Sequence, residues 1–456
     1  MGKDVFENII GAPAKALDKT ISASGQVSNK ILDQKPVKSA KKYWNLLGPG
    51  LITGASDDDP SGIATYSQTG AKYGFSLLWL SVFTFPLMAV IQEMCARIGL
   101  VTDRGLAANI RQYFPRYVIY VVSILLFIAN TFNLGADLGA MAKATQLLYP
   151  NINFVYLVVG FTCLMLFLQI FAPYEKYAKY LKWMALVLLS YIFSVLVMKD
   201  INWGEILHSA ISPSINFSKD QFILICAILG TTISPYLFFW QTSQEVEELT
   251  EKRIKITSQN TPIGRGLIRD MRVDVWSGMF LSNLVMFFII VACGLTLNKA
   301  GLTDIQTAEE AARALRPLAG NMSYLLFAIG IIGVGLLGVP VLAGSASYAI
   351  SESLNWKGGL HKKLGSAYSF YGVMIFAMLI GLGLNFVGLD SIKALIYSAV
   401  LNGLIAPVVL VLIVLLSSNK KIMGNFSNSI ILKVIGWITV ALMVVAAIAT
   451  IYSIFS

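Results

Sequence analysis

Charged side chains are scarce in this chain of 456 residues: Asp, Glu, Lys and Arg make up 13%, about half the share usual in a soluble domain. With 56% hydrophobic residues and a mean hydropathy of +0.68, one globular core cannot hide the apolar surface, and lipid must cover much of it. Histidine is nearly missing. The two present, His208 and His361, fall in predicted loops, which argues against an HExxH metallohydrolase or a Ser-His-Asp triad. No GxxxxGKS/T phosphate loop occurs, so ATP is not expected to drive the work. The four cysteines, Cys95, Cys163, Cys226 and Cys293, stand singly inside apolar runs, without a CxxC pair or a disulfide ladder, and read as packing residues. Residues 1–45 lack the apolar segment of a cleavable signal. This Lys-rich arm reads either as a weak amphipathic helix on the inner leaflet or as a disordered cytoplasmic tail.

What the chain has in abundance is apolar runs. Eleven are long enough to span a bilayer, for which about 20 residues suffice. They cover 46–71, 75–101, 117–148, 154–172, 178–198, 220–245, 273–297, 321–353, 367–387, 390–416 and 431–455. The net charge of +10 does not point to nucleic acid, because the positive residues lie in short loops between these runs. With the N-terminus in the cytoplasm, about 27 Lys and Arg fall inside and about 7 outside, the bias that sets membrane topology. The inner stretches include Arg104–Arg116, Lys176–Lys182, Lys252–Arg272, Lys357–Lys363 and Lys420–Lys421. The outer loop after the seventh run is acidic, with Asp304, Glu309 and Glu310.

Two of the runs are interrupted. The first reads Gly48-Pro-Gly-Leu-Ile-Thr-Gly-Ala-Ser-Asp-Asp-Asp-Pro-Ser-Gly-Ile63. Each carboxylate near the bilayer midplane costs roughly 2.5–3.5 kcal/mol on insertion scales, so Asp57, Asp58 and Asp59 require a cation, a water-filled cavity or a proton. Pro60 removes a backbone donor and clashes with the carbonyl four residues back, which frees carbonyls near Ser56 and Asp57. The sixth run reads Ile228-Leu-Gly-Thr-Thr-Ile-Ser-Pro-Tyr-Leu237, and Pro235 likewise frees the carbonyl of Thr231. Each break falls in the first helix of a five-helix set, 46–200 and 219–416, with 430–456 left as an eleventh helix. Five is odd, so the sets insert in opposite senses, the pattern of an alternating-access transporter. The negative ends of the first half-helices and Asp59 together suit a cation.

Other polar positions within the spans are weaker candidates. Glu93 and Arg97 are four apart and suit a pair with each other. Asp137 reads as a relay, a site residue or a partner of Lys143, and Lys143 as snorkelling or paired. Glu352 reads as interfacial. Thr232, Gln241 and Asn402 qualify as pathway-lining residues, although polar residues in bundles often only join helices.

The run Gly48-Pro-Gly…Asp59-Pro60-Ser-Gly…Gly70-Ala…Gly74-Phe…Leu77-Leu-Trp79 resembles the first helix of the natural resistance-associated macrophage protein (NRAMP) family. Gln92-Glu-Met-Cys-Ala-Arg-Ile-Gly-Leu-Val-Thr102, Val339-Pro-Val-Leu-Ala-Gly-Ser-Ala-Ser-Tyr348 and Gly388-Leu-Asp-Ser-Ile-Lys-Ala-Leu395 extend the resemblance over roughly 46–415. It implies an all-α polytopic fold of the LeuT type, two inverted five-helix repeats plus an eleventh helix, and import of Mn²⁺ or Fe²⁺ with protons. The family's first-helix Asp-Pro-Gly-Asn becomes Asp59-Pro60-Ser61-Gly62 here: the Asp ligand carries over and the Asn ligand does not. Its sixth-helix Ala-x-x-Met-Pro-His becomes Thr231-Thr-Ile-Ser234-Pro235-Tyr236. The carbonyl ligand falls at Thr231, the Met ligand is lost to Ser234, and the two family histidines fall at Tyr236 and Gln241. The third-helix Asp and Glu fall at Asn133 and Ala136, with Asp137 one residue along.

A thioether favours transition metals over Mg²⁺. Losing it at Ser234, and the Asn at Gly62, leaves a wider pocket of oxygens. Asp59, aided by Asp57 or Asp58 and by carbonyls, would suit a partly hydrated Mg²⁺, which usually keeps several waters. The changes resemble the NRAMP-related magnesium transporter branch, with Mn²⁺ tolerated. Without the histidines, weak or absent proton coupling is expected; Asp137 keeps a coupled Mn²⁺/Fe²⁺ importer open as the alternative. A channel would need an open pore and usually a symmetric oligomer. An amino-acid carrier would have its carboxylate repelled by Asp59, and an enzyme would need a nucleophile–base pair. The expectation is a non-enzymatic monomeric carrier in a bacterial plasma membrane, its N-terminus cytoplasmic. Its partners are divalent ions and lipid, with no nucleic acid and no resident cofactor.

Overall fold

The computed structural model describes residues 48–171, 189–199, 201–216, 218–256, 264–305, 307–388 and 390–455. The N-terminal arm, the basic stretch 176–182 and most of the expected fifth span lie outside these residues. Every expected span has a helix under it. The first is split into α1 (Pro49–Asp57) and α2 (Pro60–Tyr73). Then follow α3 (Trp79–Thr102), α4 (Leu106–Tyr113), α5 (Arg116–Leu148), α6 (Phe154–Phe171) and α7 (Leu189–Val197), the described part of the fifth span. After α8 (Trp203–Ile211), the sixth span is split into α9 (Lys219–Thr232) and α10 (Pro235–Ile256). The remainder are α11 (Arg265–Cys293), α12 (Ser323–Ser353), α13 (Tyr368–Leu384), α14 (Ser391–Ser418) and α15 (Ile430–Phe455). Among the described residues, eight helices are long and apolar enough to cross a membrane. Exposed Phe167, Phe171, Ile448 and Phe455 on α6 and α15 form the kind of surface that lipid covers.

Hydropathy misplaced the polar ends. The helix α11 begins at Arg265 rather than 273, and α10 runs on to Ile256 rather than 245, because charged turns outside the apolar layer still propagate a helix. The short helices α4 and α8 went unseen for the same reason. His208, expected in a loop, lies on α8, whose Asn202 cap accepts from the Glu205 amide at 3.2 Å. Glu352, one residue from the end of α12, is half-buried and turned toward the protein: it accepts from the Ala108 amide at 3.1 Å and from Ser243 Oγ at 3.0 Å. It thereby serves the first turn of α4, which has no side-chain cap of its own. Of the cysteines, Cys163 is exposed on α6 and the other three are buried.

The two broken spans run antiparallel. The half-helix before the first break, α1, packs on the half-helix after the second, α10, while α2 packs on α9. Thr53 Oγ1 to Gln241 Oε1 (2.5 Å) ties the first pair, and Tyr66 hydroxyl to Thr232 Oγ1 (3.3 Å) the second. This crossed pairing is what inverted repeats require. Around it α5 packs extensively on α12, and α9 on α14.

The first half-helix is held from outside itself. Asp274 on α11 accepts from the amides of Gly50 at 2.7 Å and Leu51 at 3.1 Å, which satisfies first-turn donors that have no helical partner. Gly54 and Gly278 cross so closely that a Cβ on Gly54 would strike the Gly278 backbone. Asp274→Ala should therefore cost about 1–2 kcal/mol, as loss of a helix cap does. The expected result is a lower thermal-unfolding midpoint in detergent, with most of the loss recovered in Asp274→Asn; an unshifted midpoint would show that the cap contributes nothing.

Candidate metal site at the helix breaks

The break in the first span follows from Pro60. It sits at the first position of α2, where a missing amide proton does no harm, and Asp59 is the cap residue with extended backbone, φ −62° and ψ 174°. Asp59 Oδ1 accepts from the Gly62 amide at 2.9 Å and from Ser61 Oγ at 2.6 Å. Asp59 Oδ2 accepts from Asn133 Nδ2 at 3.0 Å and from the Tyr236 hydroxyl at 3.2 Å. That hydroxyl also lies 3.0 Å from the Ser56 carbonyl, one of those the proline was expected to free. In the sixth span α9 stops at Thr232, and Ser234 Oγ donates to the carbonyls of Thr231 at 2.6 Å and Gly230 at 2.7 Å. Asp59, Ser56 and Tyr236 are thus in one bonded cluster, and Ser234 sits on the Thr231 carbonyl one residue from Pro235.

Gly62 joins the two breaks. The atoms nearest to where its Cβ would stand are the Asp57 carbonyl oxygen at 3.1 Å, Thr231 Oγ1 at 3.2 Å and Tyr66 Cε2 at 3.4 Å. Asp57 and Asp58 face a different neighbour. Ser282 Oγ on α11 lies 2.7 Å from Asp57 Oδ2 and 3.3 Å from Asp58 Oδ1. Asp137 on α5 is fully buried and, among the described residues, neither oxygen has a hydrogen-bond partner. It approaches Asp59 across Gly338 of α12, where an added Cβ would lie 3.1 Å from Asp59 Cβ and 3.9 Å from Asp137 Oδ2. Lys143 does not pair with it: the amine lies 5.0 Å from the Phe154 ring centroid, on the exposed side of α5. A snorkelling lysine does this.

The pathway candidates separate. Thr232 and Gln241 join helices, Gln241 also donating to Glu245 Oε1 at 2.8 Å. Asn402 is buried on α14, its amide without a partner among the described residues. Glu93 and Arg97 do pair, at 3.4 Å, but Glu93 also binds Arg272 at 2.9 Å and the Trp276 indole at 2.9 Å. This buried cluster ties α3 to α11.

Sequence reasoning missed Ser282, Ser398 and the role of Asn133. Asn133 is oriented by Ser398, whose Oγ lies 2.7 Å from Asn133 Oδ1, so that its amide donates to Asp59. A signal existed for Asn133, four residues before Asp137 on the same helix face; none marks a serine in an apolar helix. Among the described residues no three His, Cys, Asp or Glu side chains converge as a ready metal cluster. Any cation here must rely on one carboxylate with carbonyl and hydroxyl oxygens. A small cavity, with room for about one water, lies over the site on the side of the loop after span seven, lined by Pro60, Ala140, Ile305, Ala308, Phe327 and Ile392 among others.

The architecture is that of an integral membrane protein built on broken, inverted helices of the LeuT type. Residues 50–453 match the family described as natural resistance-associated macrophage protein-like, and the chain belongs to it. The "divalent metal cation transporter MntH" of Yersinia enterocolitica is 23% identical over 426 residues, 92% of this chain and 97% of the relative. A crystal structure of the Eremococcus coleocola manganese transporter, in complex with an aromatic bis-isothiourea substituted compound, superposes with a TM-score of 0.70 at 19% identity, covering 91% of this chain and 87% of that one. The inward-facing conformation of Mhp1 follows at 0.52 and 13% identity, covering 89% and 90%. These likenesses carry the fold.

Proposed function

We propose that this protein is a carrier of divalent metal cations, with Mg²⁺ as its main cargo and Mn²⁺ tolerated. The observation that carries the reading is a charge imbalance. Asp57, Asp58, Asp59 and Asp137 are all buried, yet among the described residues none forms an ion pair with Lys, Arg or His. Uncompensated carboxylates in a bundle mark an ion path. Asp59 would bind the metal, with the carbonyls of Ser56 and Thr231 beside it, once the Tyr236 and Ser234 hydroxyls turn their protons aside. Hydroxyl rotation makes this feasible, since each can offer a lone pair instead. Family membership and the printed function of the MntH relative support the same class.

The Mg²⁺ preference rests on donor chemistry. The groups bonded to Asp59 and Ser56 are hydroxyls and amides, with no sulfur among them, and such sites suit hard cations. The reading includes an alternating-access monomer built from the repeats 46–200 and 219–416, N-terminus inside a bacterial plasma membrane, with no catalysis and no cofactor. Proton-coupled Mn²⁺ or Fe²⁺ import is the second reading. The unpartnered Asp137 beside Asp59 favours it, as such a group can carry a proton.

Asp59→Ala should abolish Mg²⁺ uptake into proteoliposomes while the protein stays monodisperse; retained uptake would remove Asp59 from the site. Ser234→Met combined with Gly62→Asn should shift competition toward Mn²⁺, and an unchanged preference counts against the soft-ligand rationale. A pH-sensitive dye in the lumen should report no proton flux when Mg²⁺ enters. A metal-dependent flux would establish the coupled reading.

A further inference from the structure

Glu93 meets more positive charge than it can offset. It is buried, and two guanidiniums share it: Arg97 at 3.4 Å and Arg272 at 2.9 Å. Arg97 is 4% exposed. Its other acceptor is the neutral Asn428 side chain, and among the described residues its Nε has no partner. One carboxylate therefore faces two cations. A surplus positive charge beside an apolar layer calls for an anion. The surplus reaches the surface at Arg272, whose side chain is 50% exposed.

Trp276 and Phe280 follow Arg272 at four-residue steps, so the three line one stripe of α11. Exposed Arg269 begins the stripe one turn earlier. The Trp276 indole is fixed by its bond to Glu93, and Phe85 of α3 packs edge-on to both rings, with centroids 5.7 Å from each. Phe280 is 55% exposed. The order along the seam is guanidinium, indole, phenyl. That is the order of depth in one leaflet, from phosphates through the interface to acyl chains. The arginines lie where α3 ends and α11 begins, the basic end of the bundle. We propose that the α3–α11 seam binds an anionic phospholipid, its phosphate on Arg272 and Arg269 and an acyl chain along Phe280 and Phe85. A guanidinium presents paired donors that match phosphate oxygens, and an anionic headgroup supplies the missing negative charge. A free phosphate would meet the arginines and leave the rings uncovered, so the rings favour lipid. Arg272 stands two residues from Asp274, which caps α1. The lipid thereby steadies the helix against which the broken span is seated.

The experiment titrates the full chain, in a nonionic detergent, with phosphatidylglycerol, with phosphatidylcholine of the same chains, or with inorganic phosphate. The thermal-unfolding midpoint is followed, and bound lipid is counted by native mass spectrometry. Phosphatidylglycerol should raise the midpoint and stay bound; the other two should do neither. Arg272→Gln should weaken the apparent affinity for phosphatidylglycerol about tenfold, the weight of one hydrogen bond to a charged group. Phe280→Ala should weaken it as well, through the lost apolar wall. Lys420→Gln, which removes an exposed charge elsewhere at the same end, should leave it unchanged. An equal shift from phosphatidylcholine or from inorganic phosphate overturns the proposal. So does an affinity that Arg272→Gln leaves intact, or that Lys420→Gln lowers as much. If Arg272→Gln fails to assemble because Glu93 loses a partner, Phe280→Ala decides: unaltered affinity there overturns the lipid seam.

Discussion

Negative charge without a resident counter-charge governs this molecule. A carboxylate withdrawn from water is tolerated only when hydrogen bonds, a cation or a proton take over the role of solvent. Asp59 is met by four donors, an amide, an Asn side chain and two hydroxyls, and among the described residues by no basic one. Neutral donors soften the field without cancelling it. The bundle around the breaks is arranged to keep that carboxylate in place: Pro60 starts α2 where Asp59 can cap it, and Ser398 turns Asn133 toward it. The same logic explains why buried Glu93, which does have Arg97 and Arg272, reads as structural.

The breaks also solve a backbone problem. Peptide groups released from a helix inside an apolar layer must find partners. Tyr236 bridges the released Ser56 carbonyl to Asp59, and Ser234 returns to the Thr231 carbonyl. These hydroxyls stabilise the structure through protons that a cation could replace, so the groups satisfying the break are also the ones that would make way for cargo.

Much of this was legible in the residues. Proline in an apolar run always removes a donor, but Pro86, Pro340 and Pro407 sit inside continuous helices; the breaks at Pro60 and Pro235 formed within two residues of the expected place, with packing deciding which prolines open the helix. The run of three aspartates announced a site, but not which way each would point. On a tight break successive side chains diverge, and only packing decides that Asp57 and Asp58 meet Ser282 while Asp59 meets Tyr236. Serine and asparagine inside apolar helices carry no mark of their partner, so the donors around Asp59 stayed hidden. The partner of Glu352 stayed hidden too, because hydropathy registers depth in the layer and not the open amides of α4 packed against it.

The anchoring of α1 has a mechanical corollary. Asp274 grips its first turn and Gly278 seats its middle against α11, whereas α2 answers to α9 through Tyr66 and to the loop at Thr303 and Ile305 through Gln68. Both halves also lie on α11, Gly54 of α1 against Gly278 and Gly70 of α2 against Ile290 and Cys293. One helix thus braces the span on either side of residues 57–59, and a shift of α11 would carry the charged break with it.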